Sequence, residues 1–333
     1  LIEKRPDLRN ADISAGRSIN LAFSDRGIKG IKRVGLEDKV KALCIPMNGR
    51  MLHDKDSNTK LSPYSGQYGN YINSISRSGL NALLLDEVEK HDNVHLIFQA
   101  ACQNVDVESA KAEFINEKTD ANFHVQADYI IGTDGAGSVV RQALMKNREL
   151  RFSFSQNFLT HGYRELSILP KKGEHQIYKN ALHIWPRGEN MLIALPNLDH
   201  SFTVTLFQDF QGPFGFDQLQ DDDQIMSFFK EAFPDAIPHM PNLIKDFHNN
   251  PTSSLGTIKC DPWYYEDKVL MIGDAVHAIV PFYGQGMNCA FEDVFVLDQF
   301  MNDYGDDWKE LFEAYNSYRK PDTDAIADLA LDN

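Results

Sequence analysis

The stretch Gly273-Asp274-Ala275-Val276-His277, continued by Pro281-Phe282-Tyr283-Gly284-Gln285-Gly286-Met287-Asn288 and then Glu292-Asp293, decides how this chain folds. Before it stands Val269-Leu270-Met271-Ile272, an apolar run of the kind buried on both faces of a parallel sheet. That strand delivers Gly273-Asp274. The loop Pro281 to Gly286 leads into a helix that starts near Met287 and runs to about Asn302. A helix start presents free N–H groups and the positive end of the helix dipole. A carboxylate at the strand end accepts hydrogen bonds from ribitol or ribose hydroxyls, and the helix start suits a ring that becomes anionic on reduction. Strand, acid, loop and helix in that order read as a cofactor site, against the plainer reading of a Gly-rich structural turn.

A second strand-turn-helix lies upstream. Tyr129-Ile130-Ile131 reads as a buried strand running into Gly132-Thr133-Asp134-Gly135-Ala136-Gly137-Ser138-Val139-Val140-Arg141. The glycines allow a sharp turn and close approach to a ligand, and Ser138 can cap the following helix. Alone, this stretch would also suit an ordinary β-turn-α junction.

Between the two motifs the pattern changes to period two. Met191, Ile193 and Leu195 fall on one face and Leu192 and Ala194 on the other; Phe202, Val204 and Leu206 alternate with Thr203, Thr205 and Phe207. This predicts a meander of long antiparallel strands from about Phe152, with turns at Pro186-Arg187-Gly188 and Asn197-Leu198-Asp199. A helix is expected over Asp221–Phe233. Upstream, Leu21, Ile28, Ile31 and Val34 fit helical spacing, and Ser76–Lys90 is a stronger helix with Leu80, Leu83, Leu84 and Val88 on one side. A short strand is expected at His95–Phe98 and a polar hairpin over Lys111–Val125. The last helix, from about Asp307, is expected to break at Pro321. The order α/β, β-rich, α/β predicts an α/β protein with an antiparallel sheet inserted into a nucleotide-binding domain. The expected division is 1–150, 151–262 and 263–333.

Composition narrows the function. The chain has 333 residues with 42% hydrophobic and 24% charged, which excludes disordered and fibrous classes. Lys plus Arg is 33 against 48 Asp plus Glu, a net charge of −15, so no nucleic-acid partner is expected. The four cysteines, Cys44, Cys102, Cys260 and Cys289, share no metal-ligand or redox spacing, and His91 and His95 gain no further ligand, so no metal is expected. No apolar run approaches roughly 18 residues, so no membrane span is expected in this chain, and no stretch reads as a signal peptide.

Leu1-Ile2-Glu3-Lys4-Arg5 reads as the end of a buried strand closing on an acid. At that position of a dinucleotide-binding unit the acid bonds a ribose; taken alone, Glu3 reads more readily as a surface glutamate. The Gly-x-Gly-x-x-Gly fingerprint that belongs about 20 residues upstream is not in the chain. The expectation is that roughly 30 further residues, forming a strand, that turn and a helix, precede Leu1 in the native protein.

The paired Gly-x-Asp-Gly and Gly-Asp…Pro…Gly-Gln-Gly motifs, one on each side of a β-rich insertion, resemble those of the class A flavoprotein aromatic hydroxylases. Six stretches resemble the branch that acts on L-kynurenine. They are Gly16-Arg17-Ser18-Ile19-Asn20-Leu21-Ala22, Gly49-Arg50-Met51-Leu52-His53, Ser76-Arg77, His161-Gly162-Tyr163-Arg164-Glu165-Leu166, Leu182-His183-Ile184-Trp185-Pro186 and Ile193-Ala194-Leu195-Pro196-Asn197. The likeness runs through nearly the whole chain. It implies the FAD-binding, Rossmann-like fold of the p-hydroxybenzoate hydroxylase type. It also implies FAD as cofactor, NADPH as co-substrate, and dioxygen-dependent conversion of L-kynurenine to 3-hydroxy-L-kynurenine through a flavin C4a-hydroperoxide, in tryptophan breakdown towards NAD.

Residue by residue, the resemblance implies cofactor contacts at Glu3, Arg5, Ala22, Arg77, Cys102, Asp134, Asp274, Met287 and Asn288, several of them through backbone. No side chain is implied as acid or base. Pro281, Phe282, Gln285 and Gly286 would line the flavin face. Arg50 and Tyr64 would hold the substrate carboxylate, a group suited to the planar fork of an arginine, and Asn333 would add a third polar contact. Leu182, Met191, Ile193, Leu195 and Phe207 would wall the ring, although sheet alternation alone also predicts an apolar face. Such enzymes are cytoplasmic in bacteria and sit at the mitochondrial outer membrane in eukaryotes, attached through C-terminal helices that lie beyond this sequence. The competing readings are a related hydroxylase of another aromatic acid and a non-catalytic fragment unable to hold flavin.

Overall fold

The computed structural model describes residues 1–10, 20–66 and 69–332. Leu1–Arg5 runs beside residues 95–100. Ile2 bridges Ile97 in parallel, the Glu3 N–H donates to the Ile97 carbonyl (2.8 Å), and the Ala100 N–H donates to the Glu3 carbonyl (3.0 Å). The short strand expected at His95–Phe98 is reduced to that bridge.

The chain then runs β1 (Asn20–Phe23), α1 (Asp25–Arg33), α2 (Glu37–Lys41), β2 (Cys44–Met47), β3 (Gly49–His53), β4 (Thr59–Pro63), β5 (Ile72–Ser76) and α3 (Arg77–Val88). It continues with β6 (Ala100–Asp106), β7 (Lys111–Asn116), β8 (Asn122–Gln126), β9 (Ile130–Gly132) and α4 (Val139–Lys146). Leu21, expected on a helix, lies in β1, and Val34 falls past the end of α1 and is exposed. Asn20–Phe23 pairs along its whole length with β5, and burial of Phe23 and Ile75 in that pairing overrides the helical spacing. Ser76 caps α3 by accepting the Gly79 N–H (3.2 Å). The polar hairpin is β7 and β8.

The middle of the chain contributes β10 (Ser153–Ile168), β11 (Leu182–Arg187), β12 (Asn190–Pro196), β13 (Phe202–Asp209), α5 (Asp222–Ala232), α6 (Leu243–Asn249) and β14 (Ser253–Asp261). The large sheet has the order β14-β10-β13-β12-β11-β3-β4. Its last two strands come from the first part of the chain, with β3 parallel to β11 and Arg50 opposite Leu182. We therefore propose keeping the division near residues 150 and 262 with one exchange, residues 49–63 belonging to the β-rich part. One face of this sheet packs Leu166, Ile168, Trp185, Leu192, Phe202, Val204 and Leu206 against α5 and α6. The alternation read from the sequence is thus realised, and the other face is left for the site.

The chain closes with β15 (Tyr264–Tyr265), β16 (Val269–Met271), α7 (Asp274–His277), α8 (Gly286–Tyr304) and α9 (Trp308–Leu331). β16 is fully buried and pairs in parallel with β9. Ile131 of β9 is 40% exposed, so that strand is covered less than its apolar sequence suggests. α9 runs on through Pro321 where a break was expected. Arg319 before the proline and Thr323, Ala327 and Ala330 after it are all buried, so packing on both sides outweighs one missing backbone hydrogen bond.

Candidate active site

The parallel pairing of β9 with β16 brings the two glycine motifs side by side, although they lie far apart in sequence. Met271 is opposite Gly132, and the Ile272 N–H donates to the Gly132 carbonyl (3.0 Å). Two loops thereby leave the same sheet edge next to each other. This is the arrangement in which an α/β sheet binds a ligand.

Gly273 takes φ +65° and ψ −146°, a conformation open to glycine, and so turns the chain into Asp274. Among the described residues the Asp274 carboxylate makes no hydrogen bond, and its Oδ1 lies 4.0 Å from the position a Cβ would take on Gly286. It therefore faces the start of α8. Its surface is open, yet the surrounding protein strips water from the carboxyl and lifts it above its ordinary range, with His277 and Arg77 opposing. No side chain caps the N-terminus of α8, so its first N–H groups and dipole face the same spot. The loop before it folds as a turn at Pro281–Tyr283 and ends on Gly284, whose φ is +61° and whose Cβ would come within 3.0 Å of Ala22.

Ala22 thus meets the loop. Asn288 is nearby but its side chain is already occupied. It donates to the Ala22 and Gly284 carbonyls (both 2.9 Å), accepts the Ser24 N–H (2.9 Å), and is fully buried. As a side-chain contact to a cofactor Asn288 is corrected to a strut that ties β1 to the loop; only its backbone remains free for that use. Asp134 is engaged only in part, through one oxygen of an exposed carboxylate. Its carboxylate caps α4 by accepting the Val139 (2.6 Å) and Val140 (3.2 Å) N–H groups. Met287 packs against the cluster around Phe23 and Ile31. Cys102 lies in β6 within the field of Asp134, and burial pushes its thiol up to about 11. Glu3 and Arg5 bond each other (3.0 Å). Arg77, at the start of α3, acts electrostatically on Asp274. Gln285 donates to the Tyr283 carbonyl (3.3 Å) within the loop.

The six ring-wall and carboxylate residues of the sheet share one face. Phe207 pairs with Met191, Ile193 lies in register with Thr205, Leu195 with Thr203, and Leu182 with Arg50. The Arg50 guanidinium stacks over the Tyr64 ring at 5.3 Å. Burial raises the Tyr64 phenol, against the pull of Arg50. Phe282 from the loop reaches this face and meets Phe207, with ring centroids 5.6 Å apart. Tyr163 and Val280 join the same apolar cluster. Asn333 lies outside the described residues, as does the segment 11–19 that holds the start of the Gly16–Ala22 stretch. Arg319, which braces the Gly273 turn from behind through Asp293, was not foreseen, since a lone arginine in an amphipathic helix carries no local signal.

An unpartnered carboxylate facing an uncapped helix start fits the hydroxyls and ring of a flavin. The FAD-binding-domain family matches residues 9–330. Kynurenine 3-monooxygenase of Legionella pneumophila (strain Corby) is 44% identical over 335 residues, covering all of this chain and 73% of that protein. The same enzyme of Dictyostelium discoideum is 44% identical over 346 residues, covering all of this chain and 74% of that protein.

The chain belongs to the kynurenine 3-monooxygenase family.

Solved structures carry the same fold. The tetrameric form of 2-methyl-3-hydroxypyridine-5-carboxylic acid oxygenase superposes with a TM-score of 0.75 at 20% identity, covering 99% of this chain and 82% of that one. PqsL of Pseudomonas aeruginosa superposes with a TM-score of 0.77 at 15% identity, covering 99% and 87%. The fold is thus the α/β flavin-hydroxylase fold with an inserted antiparallel sheet, and FAD is the cofactor of this kynurenine 3-monooxygenase family member. Its relatives are bacterial and eukaryotic. No helix among the described residues is long and apolar enough to cross a membrane, and no group of metal-ligating side chains is found among them.

Proposed function

We propose that this chain hydroxylates L-kynurenine to 3-hydroxy-L-kynurenine, with FAD as cofactor and NADPH and dioxygen as co-substrates. The observation that carries the reading is the shared sheet face. Arg50 backed by Tyr64 stands at one side, Leu182, Ile193, Leu195 and Phe207 lie across it, and Phe282 closes on Phe207 from the loop before α8. Kynurenine has a carboxylate at one end and an aromatic ring at the other, and this face offers a cation and an apolar floor in the same order.

When bound, FAD supplies the reducing equivalents taken from NADPH and the activation of dioxygen. The chain's own residues do the rest. Asp274 would accept hydrogen bonds from flavin hydroxyls, with Arg77 and the backbone of Ala22, Met287 and Asn288 around it. Cys102, Glu3 and Arg5 would lie along the cofactor, and Asp134 would contribute through the turn that it stabilises. Arg50 with Tyr64 would hold the carboxylate, and Asn333 would add a polar contact to the substrate. The five apolar side chains with Met191 among them would exclude water from the ring, and Pro281, Phe282, Gln285 and Gly286 would set its distance from the flavin. Correct placement at that distance accounts for much of the rate.

The test is turnover by the FAD-loaded protein, following NADPH consumption and hydroxylated product. L-Kynurenine should be converted and p-hydroxybenzoate should not. Conversion of p-hydroxybenzoate with no 3-hydroxykynurenine would overturn the substrate assignment.

A further inference from the structure

β10 places an acid on the site side of the large sheet. Arg164 stacks over the Phe247 ring of α6 at 4.0 Å, on the helix side, whereas Tyr163 lies 6.3 Å from Phe207, on the opposite side. Successive residues of a strand alternate, so Glu165 shares the side of Tyr163. It pairs with Thr205, and Thr205 with Ile193. Glu165, Thr205 and Ile193 therefore form one row. It lies between the row Tyr163, Phe207, Met191 and the row Thr203, Leu195, Leu182, Arg50.

The Glu165 carboxyl is half-buried and makes no hydrogen bond among the described residues; burial lifts it to about 7, against the pull of Arg77. Of its surroundings, α3 presents Arg77, β13 the uncharged Thr205 and β10 the phenol of Tyr163. Asn250, after α6, touches only its backbone carbonyl (2.8 Å). A half-buried acid without an internal partner is costly unless a ligand provides one. Arg50 stands four strands away on the same face, roughly 19 Å between backbones at the usual strand spacing. The two residues stand at opposite ends of that face, a span that one aryl amino acid bridges once the lengths of the two side chains are subtracted.

We propose that Glu165 is a specificity-determining residue that accepts a hydrogen bond from the ring amine of the substrate while Arg50 holds its carboxylate. The inference rests on the kynurenine reading above and adds what recognises the ring end. An aromatic amine carries N–H donors that an apolar wall cannot satisfy, and a carboxylate beyond Ile193 satisfies one. An N–H donating to a carboxylate also leaves more electron density on the ring carbon beside it, the position that is hydroxylated.

The experiment measures dissociation constants on the FAD-loaded protein for L-kynurenine and for its analogue with the ring amine replaced by hydrogen. Wild type, Glu165→Met and Glu165→Gln are compared from pH 6 to 8.5. Wild type should prefer kynurenine by about ten-fold or more, the size expected for one charged hydrogen bond. Glu165→Met should lose that preference while binding the analogue as wild type does, and Glu165→Gln should keep part of it. Wild-type affinity for kynurenine should rise with pH through about 7, and that of Glu165→Met should stay flat. An unchanged preference in Glu165→Met, or equal losses for both ligands in both variants, would overturn the role of Glu165 alone. A wild type that binds neither compound would overturn the substrate reading and this role with it.

Discussion

Arg319 of α9 donates from Nε (3.0 Å) and from a terminal nitrogen (2.9 Å) to one oxygen of Asp293, and both residues are fully buried. The other Asp293 oxygen accepts the Gly273 N–H (3.0 Å) and lies 2.5 Å from His277 Nε2. One carboxylate on α8 thus joins α9 to the turn that presents Asp274. Glu292 adds a further contact to Arg319 at 3.1 Å. The C-terminal helix is in this way part of the framework of the cofactor site.

Removing the cation alone leaves a buried, uncompensated charge. Arg319→Leu should therefore destabilise the protein by about 3–5 kcal/mol. Arg319→Lys should recover only part of this, because a point charge cannot serve Asp293 and Glu292 as a fork does. Urea unfolding followed by circular dichroism measures both. A midpoint for Arg319→Leu equal to that of wild type would show that the clamp holds nothing.

Asp274 is expected to act on the cofactor and not on the fold, since its side chain makes no hydrogen bond among the described residues. Asp274→Ala should weaken FAD binding by roughly ten- to hundred-fold, the loss of one charged hydrogen bond, with unfolding little changed. The acceptor is the carboxylate form, and crowding lifts this acid above its ordinary range. FAD affinity should therefore fall on acidification earlier than an ordinary aspartate would allow, and Asp274→Asn should flatten that profile. Flavin titration by fluorescence provides both readings; equal affinity in Asp274→Ala would remove its role.

Two buried groups shift the pH dependence of stability in opposite directions. Glu165 titrates near 7 in the fold against about 4.5 when unfolded, so its protonated form is favoured by folding. Its contribution is fully present below about 4.5 and is lost as pH rises through 7. His183 donates from Nε2 to the Tyr178 carbonyl (2.8 Å), which leaves Nδ1 to accept from His53 (2.8 Å). Burial depresses it to about 4, so its contribution is present above about 6.5 and is lost as pH falls through 4. Glu165→Gln should accordingly be more stable than wild type at pH 8, by about 1–2 kcal/mol after allowance for solvent screening. The difference should vanish near pH 4, and the variant should lose stability more steeply than wild type below about pH 6.5, where His183 then acts unopposed. Urea midpoints at pH 4, 6 and 8 decide it; a constant offset between the two proteins would contradict the assignment to Glu165.

What was legible in the sequence was local. The two glycine turns, the helix after Gln285, and the two-sided strands Asn190–Pro196 and Phe202–Asp209 follow from backbone freedom and period-two burial within a few residues. Shared placement of Ile193 and Leu195 on one face needed nothing more, whereas Phe207 joins them through the β12–β13 register. The contribution of β3 and β4 to the large sheet was not legible, because Arg50 meets Leu182 through a parallel pairing that no local pattern encodes. The same holds for Arg319, whose partner is set by how α9 crosses α8. Asp134 and Asn288 show a different limit. Their residue types suit a ligand, but two carbonyls already take up the Asn288 side chain, and the start of α4 takes up one oxygen of Asp134.

Arg50 tests the substrate pocket most directly. It lies on β3, at the far side of the face from Glu165, and stacks on Tyr64 at 5.3 Å. The ring beneath it restricts the guanidinium, so its fork is already oriented before a carboxylate arrives. Holding the carboxylate also fixes how far the aromatic ring reaches towards the loop at Phe282. Arg50→Met should therefore weaken kynurenine binding by about 2–5 kcal/mol if the pair is shielded from water. What still binds should sit loosely, and misplacement lowers the rate of transfer as well. NADPH would then be consumed with release of hydrogen peroxide in place of hydroxylated product. Arg50→Lys should rescue binding only in part, because a single ammonium does not reproduce two parallel hydrogen bonds. Tyr64→Phe should retain the stacking and lose less. The measurement is NADPH consumed, 3-hydroxykynurenine formed and peroxide released in one assay of the FAD-loaded protein. A wild-type KM with full coupling in Arg50→Met would mean that the carboxylate is held elsewhere, and the order of groups along the sheet face would have to be read in reverse.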